Sequence, residues 1–137
     1  MSNIKKKLDN LDEKTTKLLD GIYLCKDVIT VAKEKNIHGY KAASIDYMKS
    51  KSYVEDCLKS LKYYGERSNP DPTMDDLKKI RESLKKHHKC FYDLMQQFPN
   101  INISEAQNFI NNCDKVYNGT SEIISDLKEL IDKREKQ

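Results

Sequence analysis

The chain contains no tryptophan, only four glycines and only three prolines among its 137 residues. So few glycines and prolines leave few turns, which predicts a small number of long elements. No run approaches the roughly 18 apolar residues that a membrane-spanning helix requires, so no membrane partner is predicted. The length supports one hydrophobic core, and a single domain over residues 1–137 is expected.

A strong charge of either sign is also lacking. The 25 basic residues nearly balance the 22 acidic ones, and the net charge is +3. Lysine and glutamate alternate along most of the chain, which is typical of solvated helix faces. Nucleic-acid binding usually concentrates basic residues on one face. The runs 5–7 and 85–89 are too short to indicate such a face, and no nucleic-acid partner is predicted.

Apolar residues recur every three or four positions in four segments, and each segment is expected to be a helix that buries one face. The segments are Ile4 to Ala32, Ala43 to Tyr64, Leu77 to Phe98, and Ala106 to Ile131. Gly39, the glycine- and proline-containing stretch 65–73, and Pro99 separate them. The pattern predicts an all-α, antiparallel four-helix domain. It consists of two hairpins, 1–65 and 73–137, joined by a linker at 66–72.

Three polar residues, Thr15, Ser50 and His87, share the spacing of the apolar stripes. His87 lies one helical turn before Cys90, but two ligands do not make a metal site. We therefore expect the His87 ring to face the bundle or its edge, and we predict neither a metal nor a cofactor.

The four cysteines are placed in a way that suggests crosslinks. In a helical hairpin, two residues meet when they are equidistant from the turn. The midpoint of Cys25 and Cys57 is position 41, and that of Cys90 and Cys113 is 101.5, each close to a predicted turn. The spacing favours disulfides Cys25–Cys57 and Cys90–Cys113. The pairing of Cys57 with Cys90 and of Cys25 with Cys113 stays open, because its midpoints lie near the middle loop.

Disulfides would imply an oxidising compartment. The start of the chain has no apolar signal-peptide core, so we expect a mature secreted chain from which the signal was removed. The sequences Asn-Ile-Ser at Asn102 and Asn-Gly-Thr at Asn118 fit the glycosylation sequon. Two alternatives are four buried free thiols, as in cytosolic cores, and a four-cysteine zinc site, which normally draws on closely spaced cysteine pairs that this chain lacks.

Cys25, Tyr47 and Cys57 have the spacing C-x21-Y-x9-C, and a second pair of cysteines follows. This pattern resembles the bicycle proteins of aphids, which are named for two cysteine-tyrosine-cysteine motifs. The second motif departs from the pattern. Ile103 stands where its tyrosine would be expected, and Tyr92 is the tyrosine between the two later cysteines.

The resemblance implies a salivary effector that is secreted, delivered into plant tissue and associated with gall formation. The residues themselves give Tyr47 a simpler role. Tyr47 shares a stripe with Cys57, so we expect its ring to lie in the core and its hydroxyl to form a hydrogen bond.

No glycine-rich phosphate loop, paired-histidine metal motif or nucleophile motif is present, and we predict that the protein is not an enzyme. The expected function is to bind a host protein. The alternatives are a secreted helical inhibitor of a host enzyme or protease cascade, and an intracellular helical adaptor with reduced cysteines. Tyr63 and Arg67, at the start of the middle loop, are predicted partner contacts because both residue types are enriched at hot spots. The simpler interpretation is that Tyr64 completes the second stripe and that the loop only connects the hairpins.

Overall fold

The computed structural model describes residues 3–97 and 105–135, with side chains described over 4–97 and 115–135. Four helices account for nearly all of these residues. They are α1 (Asn3–Glu34), α2 (Tyr40–Gly65), α3 (Met74–Gln97) and α4 (Glu105–Glu135). The described ranges contain no β-strand, and the all-helical class predicted from the apolar spacing is confirmed.

The first turn is short because two residues adopt left-handed backbone conformations. Asn36 has φ 51° and Gly39 has φ 92°. The amide of Ile37 donates to the carbonyl of Ala32 at 2.9 Å, which satisfies one of the carbonyls left over at the end of α1. The chain therefore reverses between Glu34 and Tyr40, and α2 runs back along α1.

The predicted stripes form one core. Each helix packs against the two that precede and follow it around the bundle, so that α1 and α3 each contact α2 and α4. The largest fully buried side chains come from all four helices: Leu8, Ile22, Leu61, Leu77, Leu84, Phe91, Leu94, Ile123, Leu127 and Ile131. Removing these side chains from water is the main favourable term for a bundle of this kind.

The predicted Cys25–Cys57 disulfide is not formed, because the first hairpin has a different register. The Lys51 ammonium lies 5.7 Å from the centre of the Tyr23 ring, and these two residues are centred on position 37. A centre at 37 places Cys25 level with position 49. Cys57 lies about eight residues further along α2, roughly 12 Å away at 1.5 Å per residue.

The alternative pairing of Cys57 with Cys90 fails for the same reason. Ser50 and His87 are in contact and are centred on position 68.5, so Cys57 lies level with position 80 and not with Cys90. No disulfide is formed by the cysteines whose side chains the structure describes. The predicted Cys90–Cys113 bond involves the Cys113 side chain, which lies outside the described residues.

Cys25 and Cys57 instead pack as small apolar residues of the core. Burial raises the pKa of the Cys57 thiol to about 12, so its nucleophilic thiolate form is rare at neutral pH. Burial also raises the pKa of Cys90, which is half-buried. Neither Cys57 nor Cys90 therefore has the lowered pKa of a reactive cysteine.

Candidate functional site

The loop between α2 and α3 is held by a buried lysine from α1. The Lys5 ammonium donates to the carbonyl of Tyr64 and, at 2.9 Å, to the carbonyl of Asn69. It also lies 3.6 Å from a carboxylate oxygen of Asp71. Two of the three N–H donors of the ammonium are therefore hydrogen-bonded to loop carbonyls, and the charge is paired with Asp71. Lys5 is only 7% exposed, and it ties the loop 66–73 to the first turns of α1.

The other end of the loop is held from α4 and by a capping box. The Arg134 guanidinium donates to the carbonyl of Pro72. The Asp76 amide donates to the Thr73 hydroxyl at 3.1 Å, and the Thr73 amide donates to the Asp76 carboxylate at 2.9 Å. This reciprocal pair is a capping box, which satisfies two backbone donors at the start of α3. The hydrogen bond from the Thr73 amide lowers the pKa of Asp76, so the cap is charged at neutral pH.

Inside the loop, Asn69 folds back on the end of α2. Its side-chain amide donates to the carbonyl of Tyr63 at 2.8 Å, and its backbone amide donates to the carbonyl of Glu66 at 3.2 Å. Interactions from α1, α4 and the loop itself therefore fix the backbone of this connection. Tyr64 packs against the core, as the simpler interpretation of the loop as a connector expects.

Tyr63 and Arg67, the predicted partner contacts, lie at the start of this fixed segment. The Tyr63 side chain is 51% exposed, and its ring packs edge-on against Tyr64 with a centroid distance of 5.0 Å. Arg67 is also exposed. Both side chains are thus accessible to a partner, while the backbone that carries them is held in place.

A second polar feature lies in the middle of the bundle. The Nδ1 atom of His87 lies 2.5 Å from the Ser50 hydroxyl, and its Nε2 atom lies 2.9 Å from the Thr120 hydroxyl. The Thr120 hydroxyl donates to the carbonyl of Val116 at 2.8 Å. Because the Thr120 hydroxyl uses its hydrogen for that bond, it accepts a hydrogen bond from Nε2–H of His87. A neutral imidazole carries one N–H, so Nδ1 has no hydrogen and accepts from the Ser50 hydroxyl. We call Ser50, His87 and Thr120 the polar row.

A hydroxyl beside a histidine is also the start of a nucleophile–base pair. In the polar row, however, Ser50, His87 and Thr120 are all fully buried, and a substrate cannot reach them. Burial, and secondarily the neighbouring His88, lowers the pKa of His87 to about 3, so the ring is neutral. The row joins α2, α3 and α4 through hydrogen bonds inside the core.

Tyr47 occupies the core position that its spacing predicts, with 7% of its surface exposed. The predicted hydrogen bond of its hydroxyl is absent, because that oxygen is buried without a partner among the described residues. Asn118 is exposed on the α4 helix. Asn102, the other predicted glycosylation residue, lies outside the described residues.

A groove runs between α1 and α4 in two parts, with volumes of about 370 and 500 Å³. Lys14 crosses it with ion pairs to Glu122 at 2.7 Å and to Asp126 at 2.9 Å. The lining residues include five lysines and five carboxylates. Because these charges balance, the groove does not favour a ligand of either sign.

Several residues that hold the loop 66–73 or form the polar row were not predicted from the sequence. They are Lys5, Asn69, Asp71, Thr120 and Arg134. A signal was present for the polar row, because Ser50 and His87 occupy stripe positions that are otherwise apolar. Lys5 gives no such signal, since it is the first of three consecutive lysines.

Comparison of the chain with protein-family models, with curated proteins and with solved structures finds no match. None of the helices that the structure describes is both long enough and apolar enough to cross a membrane. The described residues include no group of three or more histidine, cysteine or acidic side chains that could hold a metal ion. The resemblance to the bicycle family stays a prediction.

Proposed function

We propose that the protein is a non-enzymatic binding protein that contacts a protein partner through the loop 66–73 and the end of α2. The observation that carries this proposal is the set of Lys5 contacts, which hold the loop backbone while Tyr63 and Arg67 stay exposed. A loop that is ordered before binding loses less conformational entropy in the complex. Tyrosine and arginine are also among the residues that contribute most at interface hot spots.

Two versions of this function differ in compartment. The resemblance of the Cys25, Tyr47 and Cys57 spacing to the bicycle proteins supports a secreted effector that is delivered into plant tissue and binds a host protein. A secreted inhibitor would act in the same compartment as this effector, with a host enzyme as the protein that it binds. The packing of Cys25 and Cys57 in the core without a disulfide between them favours the other version, an intracellular adaptor.

An intact mass measured without reductant on protein from its native source separates the two versions. Two disulfides lower the mass by four hydrogens, and that result supports secretion. An unchanged mass supports the adaptor. The proposed binding surface is the same in both versions. The mass measurement therefore tests the compartment only, and the binding surface needs a separate test.

The binding surface is tested by the double variant Tyr63→Ala/Arg67→Ala, using a partner captured from plant extract with the wild-type protein. We expect its affinity to fall by about 30-fold or more, which corresponds to about 2 kcal/mol at a hot spot. Tyr92→Ala/Lys89→Ala is the matched control, because Tyr92 is similarly exposed at 48% but lies far along α3 from the loop, where its ring packs against Tyr117 of α4. Unaltered affinity in a folded Tyr63→Ala/Arg67→Ala protein would contradict the proposal.

The role of loop order is tested by Lys5→Met, which removes the ammonium and leaves Tyr63 and Arg67 in place. The carbonyls of Tyr64 and Asn69 then lose their donor, and we expect faster hydrogen exchange in the loop together with weaker binding. Lys6→Met is the control, because Lys6 is exposed. If the Lys5→Met loop exchanges faster but binds as tightly as wild type, loop order does not contribute to affinity.

A further inference from the structure

His87 is a buried titratable group that the proposed binding function does not use. Its ring is fully buried, and hydroxyls from two other helices contact its two nitrogens at 2.5 and 2.9 Å. The ring of Phe91, one turn further along α3, packs against it at a centroid distance of 5.7 Å. The contacts of His87 therefore span α2, α3 and α4, and the ring leaves this environment only when the helices separate.

Among the residues whose side chains the structure describes, the groups that face His87 offer no negative charge to a protonated ring. On its own helix the adjacent titratable group is His88, whose positive charge would oppose a second one. The inward face of α2 presents Tyr47 and Cys57, and burial raises the pKa of both, so both are neutral in acid. The buried titratable groups of α1 are Cys25 and Lys5, and Lys5 lies near the start of α1 beside the loop 66–73. Close to Thr120, the inward face of α4 presents the apolar Val116 and Ile123.

The charged residues at the same level of the bundle are exposed or half-buried and lie outside the core. Those that the structure describes include the carboxylates Asp46, Glu55, Glu82, Asp93 and Glu122 and the cations Lys49, Lys51, Arg81, Lys85, Lys86, Lys89 and Lys115. Among the described residues, a proton on His87 would be stabilised by the hydroxyls of Ser50 and Thr120 and by a hydrogen bond to the backbone of Ser50. These neutral groups do not replace the hydration that an imidazolium has in water, and burial remains the largest influence on the pKa of His87.

We propose that the polar row is an acid-sensitive latch: it holds α2, α3 and α4 together while His87 is neutral, and the bundle opens as the pH falls because the freed imidazole takes up a proton. In the closed bundle Nδ1 is the acceptor of the Ser50 hydroxyl. When the helices separate, Nδ1 binds a proton from solvent. That proton must leave again before the bundle can close.

The direction in which stability changes with pH follows from the pKa shift of His87. Burial lowers the pKa of His87 in the folded protein to about 3, whereas the unfolded ring has the ordinary value of 6.5. Above the unfolded value both states are neutral, and His87 adds no pH dependence. Between the two values the unfolded state binds one more proton, so stability falls as the pH falls. Acidification therefore favours opening, and neutralisation restores the closed bundle.

The latch is tested by measuring the unfolding equilibrium constant in urea for wild type and for His87→Gln. Glutamine does not titrate, and its side-chain amide has both an acceptor for Ser50 and donors for Thr120. The ratio of the wild-type constant to the His87→Gln constant should rise about 50-fold between about pH 6.5 and pH 4.5. Carboxylates shared by the two proteins, such as Glu122 and Asp126, cancel in this ratio.

His38→Gln is the control for an exposed histidine, and its ratio should stay nearly constant over the same range. His88→Gln is a second control, because burial also lowers the pKa of His88 and part of the acid response can come from it. A constant ratio for His87→Gln, or a larger effect for His88→Gln, would overturn the proposal.

Nuclear magnetic resonance of the histidine rings in the wild-type protein gives a second measurement, which does not require a folded variant. We expect the folded protein to keep the His87 ring neutral, with its hydrogen on Nε2, until the unfolded signals grow in. A ring that titrates near the ordinary value of about 6.5 while the bundle stays folded would overturn the latch.

Discussion

The core contains two kinds of buried hydroxyl group, and they differ in what surrounds them. In the polar row, Ser50 and Thr120 each contact a nitrogen of His87. The hydroxyls of Thr15 and Tyr47 are also buried, but neither has a hydrogen-bond partner among the described residues. A satisfied buried hydroxyl is roughly neutral or favourable to stability, whereas an unsatisfied one costs about 1–3 kcal/mol.

The difference shows that burial alone does not give the contribution of a polar side chain. Thr15 and Thr120 are the same residue type and both are fully buried. Removing the hydroxyl of Thr120 breaks two contacts, and removing that of Thr15 breaks none in the described part of the chain. The same substitution should therefore destabilise the protein at Thr120 but not at Thr15.

The largest effect is expected for Tyr47→Ala, which removes a ring that fills the core between α1 and α2. Truncation of a buried aromatic side chain typically costs about 3–5 kcal/mol, and we expect a loss of that size in urea denaturation. Stability equal to wild type would mean that the Tyr47 ring does not contribute to the core.

A smaller loss is expected for Thr120→Val, which keeps the shape of the side chain but removes its oxygen. The Nε2–H donor of His87 is then buried without an acceptor, and the expected cost is about 2–3 kcal/mol. The triple variant Ser50→Ala/His87→Leu/Thr120→Val separates the causes, since it removes the stranded donor and leaves no hydroxyl of the row without its partner. If Thr120→Val unfolds at the same urea concentration as wild type, the hydrogen bond from His87 does not stabilise the bundle.

The smallest effects, and of the opposite sign, are expected for Thr15→Val and Tyr47→Phe. Each removes a hydroxyl that has no partner among the described residues and keeps the rest of the side chain. We expect both variants to be as stable as wild type or more stable by up to about 1 kcal/mol. A loss of more than about 1 kcal/mol in either variant would show that its hydroxyl has a partner after all.

The helices could be predicted because their cause is local. Apolar residues at a spacing of three and four bury one face of a helix whatever its partners are, and Leu8, Val54, Leu84 and Leu127 all lie in the core as that spacing requires. The position of Tyr47 in the core followed from the same periodicity.

The cysteine pairing could not be predicted, because it depends on the register of one helix against another. Turn sequences locate a reversal only to within a few residues, and the first turn is centred near 37 instead of 41. If the predicted midpoint of the turn is wrong by one residue, two residues that were expected to face each other are displaced by two positions, about 3 Å. An error of four positions was enough to separate Cys25 from Cys57.

The candidate binding site was predicted in part. Tyr63 and Arg67 were found through residue type and position in the loop, both of which are properties of the sequence. The contacts that hold the loop were not found, because Lys5 and Arg134 lie at opposite ends of the chain. The side chains of Lys5 and Arg134 reach the carbonyls of the loop only because α1 and α4 pack beside it.

The sequence by itself determined four helices, the faces that they bury and the absence of a large charge imbalance, since each follows from the type and spacing of neighbouring residues. The tertiary structure decided which polar groups meet. Lys5 is buried because Tyr64, Asn69 and Asp71 surround it, and its neighbour Lys6 is solvated. Thr120 is satisfied and Thr15 is not, because a hydrogen bond depends on distances of a few tenths of an ångström that only the packed helices set.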